Sequence, residues 1–250
     1  DYFAGEVFAR TSEQERVWLV KCALAPGGLS AQAAAAACGD GAADYLLTMH
    51  ESRLFVDRRD TTTEDVNFEF HPLFRDFVLT RTEILDPATA RSTRVALAQV
   101  MEAESRFEDA ATLWSVISEW PHVARIAMSQ APTLMAQGRH RTLDSWINAL
   151  PPALVESNGW LLYWRGVARG FEDPDAGQRD AAAAFARFEA EGHSIGALLA
   201  AGEVLNQYFL ASDNYGGNAL WLDRVAERYE RHFGELSPAL LAQVFGSLYF

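Results

Sequence analysis

Leu54-Phe55-Val56-Asp57, then eight polar or charged residues from Arg58 to Asp65, then Val66-Asn67-Phe68-Glu69-Phe70-His71-Pro72-Leu73-Phe74, is where the period of the chain changes. The two apolar runs are short and rich in β-branched and aromatic residues, so each predicts a strand. The polar segment Arg58 to Asp65 predicts the hairpin loop joining them. His71-Pro72 then predicts a helix start. Proline at the first helical position costs no hydrogen bond, and His71 falls at the cap. Phe74, Phe77 and Val78 recur at helical spacing and form the face to be buried.

Working outward toward the N-terminus, the pattern is helical throughout. Tyr2 to Ala9 is amphipathic, with Tyr2, Phe3, Val7 and Phe8 on one face. Ser12 followed three residues later by Glu15 reads as a capping box opening a helix through Val17, Trp18 and Val20 to Leu24, stopped by Pro26-Gly27-Gly28. Ser30 caps a short alanine helix to Ala37. Gly39-Asp40-Gly41 breaks the chain, and Ala42 to Glu51 resumes helical spacing through Tyr45, Leu46 and Met49. Helices, a two-stranded wing and a closing helix predict a winged-helix module over residues 1–83, with Ala42 to Glu51 where a DNA-reading helix would lie.

Working outward toward the C-terminus, no strand signal returns after about Ile84. Helical stripes run through Ala88 to Ser105, Phe107 to Ser118, Trp120 to Met135, His140 to Leu150, Trp160 to Arg169, Arg179 to Glu191, Ile195 to Ala211, Leu220 to His232 and Pro238 onward. The turns at Ser105-Arg106, Gln137-Gly138-Arg139, Asp173-Pro174-Asp175 and Asp213-Asn214-Tyr215 recur at about the length of a helix pair with its turn, as in α-solenoids. The tetratricopeptide signature is incomplete. The expected fold is therefore mainly α: a winged-helix module with a small β-hairpin wing (1–83), followed by an irregular, tetratricopeptide-like α-helical-hairpin array (84–250).

Charge narrows the function. The 250 residues carry 21 basic and 34 acidic side chains, net −13, and Lys21 is the single lysine. A phosphate-cradling loop needs a lysine behind glycines, whereas Lys21 follows Val20 in an apolar helical run, so no nucleotide loop of that type is present. Residues 1–83 hold 8 basic and 14 acidic residues, net −6. That balance opposes contact with nucleic-acid phosphates. The position of a DNA-reading helix is itself acidic, with Asp40, Asp44 and Glu51. The wing module therefore reads as a protein-packing or switch module, and direct DNA reading is the weaker option. No apolar run is long enough to span a bilayer and no secretory signal is visible. Cys22 and Cys38 fit a reducing cytosol and specify neither a bridge nor a metal cage. Both chain ends, Asp1 and Leu248-Tyr249-Phe250, fall inside amphipathic patterns and suggest a fragment of a longer chain.

Five further segments, together with Phe70-His71-Pro72-Leu73-Phe74-Arg75 and Phe77-Val78, carry a family resemblance. They are Asp1 to Phe8, Val17 to Ala25, Arg53 to Val56, Leu134 to His140 and Trp160 to Gly166. Over about residues 1 to 192 the chain resembles the signal-transducing ATPase regulators of the MalT-like, large LuxR-family type. The resemblance implies an upstream nucleotide-binding domain holding ADP at rest and ATP when active. It implies a winged helix that clamps the nucleotide, a helical superhelix that senses a small-molecule inducer or a protein, and a downstream DNA-binding domain. It implies self-association on activation and a cytoplasmic location. The fragment itself would hold no cofactor, with ATP and ADP belonging to the whole protein, a slow ATPase switch. His71 matches the family histidine placed to reach the ADP β-phosphate, with Phe70 standing where the family often has tyrosine.

Each candidate residue has a plainer reading. His71 either meets a phosphate at a helix start, where backbone N–H groups and the dipole favour an anion, or only caps its helix. Arg75 is a second anion contact or a surface arginine paired with Asp76 or Glu69. Trp160, Tyr163 and Trp164 form a ligand or partner surface on the array, or an ordinary packed face. No helical histidine pair and no G-x-S-x-G elbow occur, so no catalytic or metal-binding residue is assigned. Glu102 with Glu104, and Glu189 with Glu191, read as solvated surface pairs. The rival to the regulator is a free-standing tetratricopeptide-like scaffold for protein recognition.

Overall fold

A computed structural model describes residues 2–60, 66–211 and 218–232. The turn at Asp213-Asn214-Tyr215, the helix expected from Pro238 and both chain ends lie outside the described residues, as do positions 61–65 of the expected hairpin loop. The chain packs as two compact units, Asp1–Glu119 and one beginning at Trp120.

The first unit is a winged helix carrying one helical hairpin. Its elements are α1 (Tyr2–Arg10), α2 (Glu13–Ala23), β1 (Leu29–Ser30), α3 (Ala31–Ala33), α4 (Ala42–Glu51), β2 (Val56–Asp60), β3 (Val66–Phe70), α5 (Pro72–Leu79), α6 (Pro87–Ala103) and α7 (Phe107–Val116). The capping box of α2 is present in full: Ser12 Oγ accepts from the Glu15 N–H, and Glu15 Oε2 accepts from the Ser12 N–H at 2.7 Å. Such reciprocal capping satisfies two N–H groups that the helix itself leaves without partners. Ser30 caps α3 through the Ala33 N–H at 2.9 Å. The alanine run then widens into a π turn, Ala34–Cys38, ended by Gly39 at φ 110°.

The sheet has order β1-β3-β2 and is antiparallel, with Leu29 opposite Phe68 and Val56 opposite Phe70. Phe68 and Phe70 turn inward from the central strand and join Leu29, Val56 and Phe74 in the core. Two details differ from the sequence expectation. The first wing strand runs Val56–Asp60 rather than from Leu54, because Arg53 and Phe55 adopt left-handed backbone (φ 55° and 56°) that ends pleated pairing. Residues 58–60 are consequently strand, not loop. The third strand, Leu29–Ser30, is too short for any sequence period to reveal.

The second unit contains α8 (Trp120–Ala136), α9 (His140–Asn148), α10 (Pro152–Glu156), α11 (Gly159–Arg169), α12 (Pro174–Glu191), α13 (Ser194–Ala211) and α14 (Asn218–His232). From α11 onward each helix packs on its successor; α9 lies against both α8 and α11. Proline at the first position and Asp173, whose carboxylate accepts from the Ala176 N–H at 2.9 Å, start α12 five residues before the expected Arg179. The fold is thus a winged helix followed by a helical array.

Close approach of α11 and α12 rests on glycines. A Cβ on Gly177 would stand 2.6 Å from the Gly170 Cα and 2.9 Å from the Gly166 carbonyl oxygen. Gln207 of α13, 1% exposed, fills the remaining space beside them. Gly159 and Gly196 accept the ring of Phe188 in the same way, each with room for hydrogen only.

Candidate functional site

The end of β3 delivers His71 to the start of α5. Its N–H donates to the Phe55 carbonyl at 2.8 Å, and its carbonyl accepts from Phe74 and Arg75 at 2.9 and 3.0 Å. The left-handed turn at Phe55 makes this possible by aiming that carbonyl back at the strand end. Phe55 stacks on Phe74 with centroids 4.7 Å apart and planes within 4°, and its edge meets the His71 ring at 6.5 Å. The His71 backbone is therefore fixed by strand, turn and helix together.

Its side chain is not. His71 occupies the cap position of α5, yet no side-chain capping bond forms. The residue is exposed, as are Pro72 and Leu73, the last 72% exposed. The capping alternative for the imidazole therefore has no hydrogen bond behind it. An exposed imidazole beside a helix N-terminus fits a phosphate arriving from outside this chain.

Arg75 donates through Nε to the Ala25 carbonyl at 3.2 Å, tying α5 to the end of α2, while Glu69 pairs instead with Arg59. Arg81 lies over the Phe77 ring at 3.4 Å from its centroid and donates to the Phe77 carbonyl at 2.7 Å. His71 is exposed at the start of α5, and Asp76 is exposed further along the same helix.

On α4, Asp44, Thr48 and Glu51 are exposed at the spacing of one helix face, and Asp40 is exposed in the turn just before it. The face that a DNA-reading helix would offer to the major groove is acidic.

The aromatic trio of the array comes together, but as packing. Tyr163 is 2% exposed. Trp160 meets Tyr163 edge-on at 5.9 Å, Phe188 at 5.0 Å and His193 at 5.4 Å, while Trp164 meets Tyr163 at 5.0 Å. Trp160 and Trp164 are half-buried, so only their outer edges are presented.

Of the acidic pairs read as solvated surface, Glu189 and Glu191 are exposed as expected, whereas Glu102 and Glu104 are half-buried and tied in. Glu102 accepts from Trp114 Nε1 at 2.7 Å, and Glu104 accepts from the Ser30 hydroxyl at 2.6 Å. Glu189 pairs with Arg228 at 2.7 Å and Glu191 with Arg187 at 3.3 Å. Sequence reasoning also passed over Glu203. It is 8% exposed on α13, next to Gln207 and Asn206, and burial pushes its carboxyl up to about 7 against the opposing hydrogen bonds. The only available signal was a lone acid in the apolar run Ile195 to Ala211. Among the described residues no group of three or more His, Cys, Asp or Glu could hold a metal ion, and no helix is long and apolar enough to cross a membrane.

The first unit thus presents a winged helix with an acidic exposed face on α4 and an exposed histidine at the start of its closing helix. Residues 4–90 match the family model described as the MalT winged helix domain. No curated protein and no solved structure gives a significant match to the chain.

Proposed function

We propose that this chain is the winged-helix and helical-array part of a MalT-like, large LuxR-family ATP-dependent transcriptional regulator. It couples nucleotide state, and binding of an inducer or protein partner to the array, to DNA binding by other domains of the same protein. The single observation carrying this reading is the match of residues 4–90 to the MalT winged helix domain. The exposed, uncapped His71 side chain and the acidic face of α4 fit it. ATP and ADP are held by the upstream domain, with His71 meeting the ADP β-phosphate in the resting state. This part alone neither hydrolyses ATP nor binds DNA, and the whole protein works in the cytoplasm and self-associates when active.

The test is the ADP off-rate of the full-length protein. His71→Ala should release ADP faster and raise basal transcriptional activity. An unchanged off-rate would remove His71 from the nucleotide site.

A further inference from the structure

Cys22 and Cys38, sixteen residues apart in sequence, meet in the core of the winged helix. Cys22 lies at the end of α2 and Cys38 closes the π turn, and each is 1% exposed. Their thiols share a hydrogen bond. The adjacent Lys21 reaches across the same gap, its ammonium donating to the Cys38 carbonyl at 3.4 Å. Among the described residues no third ligand joins them to make a metal cage. What remains is a buried dithiol beside the chain's single lysine.

The π turn accounts for the encounter. A residue in an α-helix advances about 100° around the axis, so the wider turn at Ala34–Cys38 rotates every later side chain relative to an α-helical continuation. Gly39 at φ 110° and Gly41 at φ 88° then take the chain back toward α4, and Trp18 packs where a Cβ on Gly41 would stand, 2.9 Å from its ring. The device thus sits between the second helix and the helix in the reading position.

We propose that Cys22 and Cys38 form a reversible intramolecular disulfide on exposure to hydrogen peroxide, making the winged helix a redox-modified module. One of the two thiols attacks peroxide as the thiolate, forming a sulfenic acid and releasing hydroxide, which leaves as water. The other sulfur then displaces the sulfenic oxygen, forming the S–S bond and releasing a second water. In sum two thiols and one H₂O₂ become one disulfide and two H₂O. The hydrogen bond with Cys38 and burial push the Cys22 thiol up in the closed fold. Entry is by local opening of the π turn, whose Ala35 and Ala36 are exposed.

The test uses the chain under native conditions, treated with hydrogen peroxide, blocked with a maleimide after denaturation, and weighed intact. The expected product is a monomer with no maleimide, lighter by about 2 Da, that regains two reactive thiols on reduction. Peptide mapping should join the segments holding Cys22 and Cys38, and the melting temperature should rise while the bond persists. Cys22→Ser and Cys38→Ser should each abolish the 2 Da product without changing the circular dichroism spectrum. Two blocked thiols after treatment, sulfinic acid without a cross-link, dimers joined between chains, or a bond formed only in denaturant would each overturn the proposal.

Discussion

The hydroxyl of Ser30 donates to Glu104 Oε1 at 2.6 Å, across 74 residues of sequence, while its lone pairs cap α3 through the Ala33 N–H at 2.9 Å. One buried serine therefore starts the alanine helix and holds the far end of α6. Arg106 adds a second tie between the same regions, donating to the Pro26 carbonyl at 2.9 Å and pairing with Asp109 at 2.6 Å. The first helical hairpin is thus fastened to the winged helix inside one unit.

Ser30→Ala removes a cap and leaves a carboxylate without its donor. It should destabilise the first unit by about 2 kcal/mol. Glu104→Gln keeps an acceptor for the hydroxyl and should cost less. Chemical denaturation of the single and double variants measures the coupling, expected at about 1 kcal/mol. Additive effects would show that the two residues act independently.

In the second unit the tightest constraint is steric. Gly177→Ala places a methyl 2.6 Å from the Gly170 Cα and 2.9 Å from the Gly166 carbonyl oxygen, both backbone atoms that cannot swing aside. The helices must separate, and overpacking of this kind costs about 2 kcal/mol or more. By contrast Gly138, with nothing near its Cβ position, has only its φ of 70° to protect it, so Gly138→Asn should be tolerated within about 1 kcal/mol. Thermal melts of the two variants give the comparison.

What the sequence shows of this fold follows from local physics. The capping box at Ser12 and Glu15, the Ser30 cap and the proline-started helix at Pro72 are visible because each depends on residues within one turn. The hairpin is visible because its period differs from everything around it. The two-residue β1 has no period at all, and its existence depends on Phe68 lying opposite Leu29. Glu102 and Glu104 look like surface acids until Trp114 and Ser30 are brought to them. His71 was legible as a position, but the absence of a capping bond is a matter of where its ring turns, which no spacing reports. The Cys22 and Cys38 encounter depends on a π turn inside five alanine-rich residues, for which composition carries no signal.

Glu203 makes the second unit sensitive to pH. Its ordinary value is 4.5 and burial raises the folded value to about 7, so between these limits the folded state holds a proton that the unfolded state has released. Its contribution is greatest below about pH 4.5, declines as pH rises, and is lost above about pH 7. The full span corresponds to about 3 kcal/mol. Glu203→Gln keeps an oxygen acceptor for the Gln207 amide without a titrating proton. The variant should gain on the parent as pH rises from 4.5 to 7, with a constant advantage above that. Urea midpoints at pH 4.5, 6 and 8 test this, and parallel pH profiles would show that Glu203 titrates normally in the fold.

His71 separates structure from function most cleanly. Its backbone carries the hydrogen bonds to Phe55, Phe74 and Arg75, and these survive substitution. Its exposed side chain makes no capping bond and, among the described residues, meets the Phe55 ring edge-on. His71→Ala should therefore change stability by no more than about 0.5 kcal/mol, as for other surface positions. The same substitution is expected to speed ADP release from the full-length protein. A loss of more than about 1 kcal/mol would mean that the imidazole supports the turn at Phe55, and any nucleotide effect would then follow from a loosened winged helix. Unchanged stability together with faster ADP release would place the imidazole on the phosphate, because no fold contact would remain to explain the change.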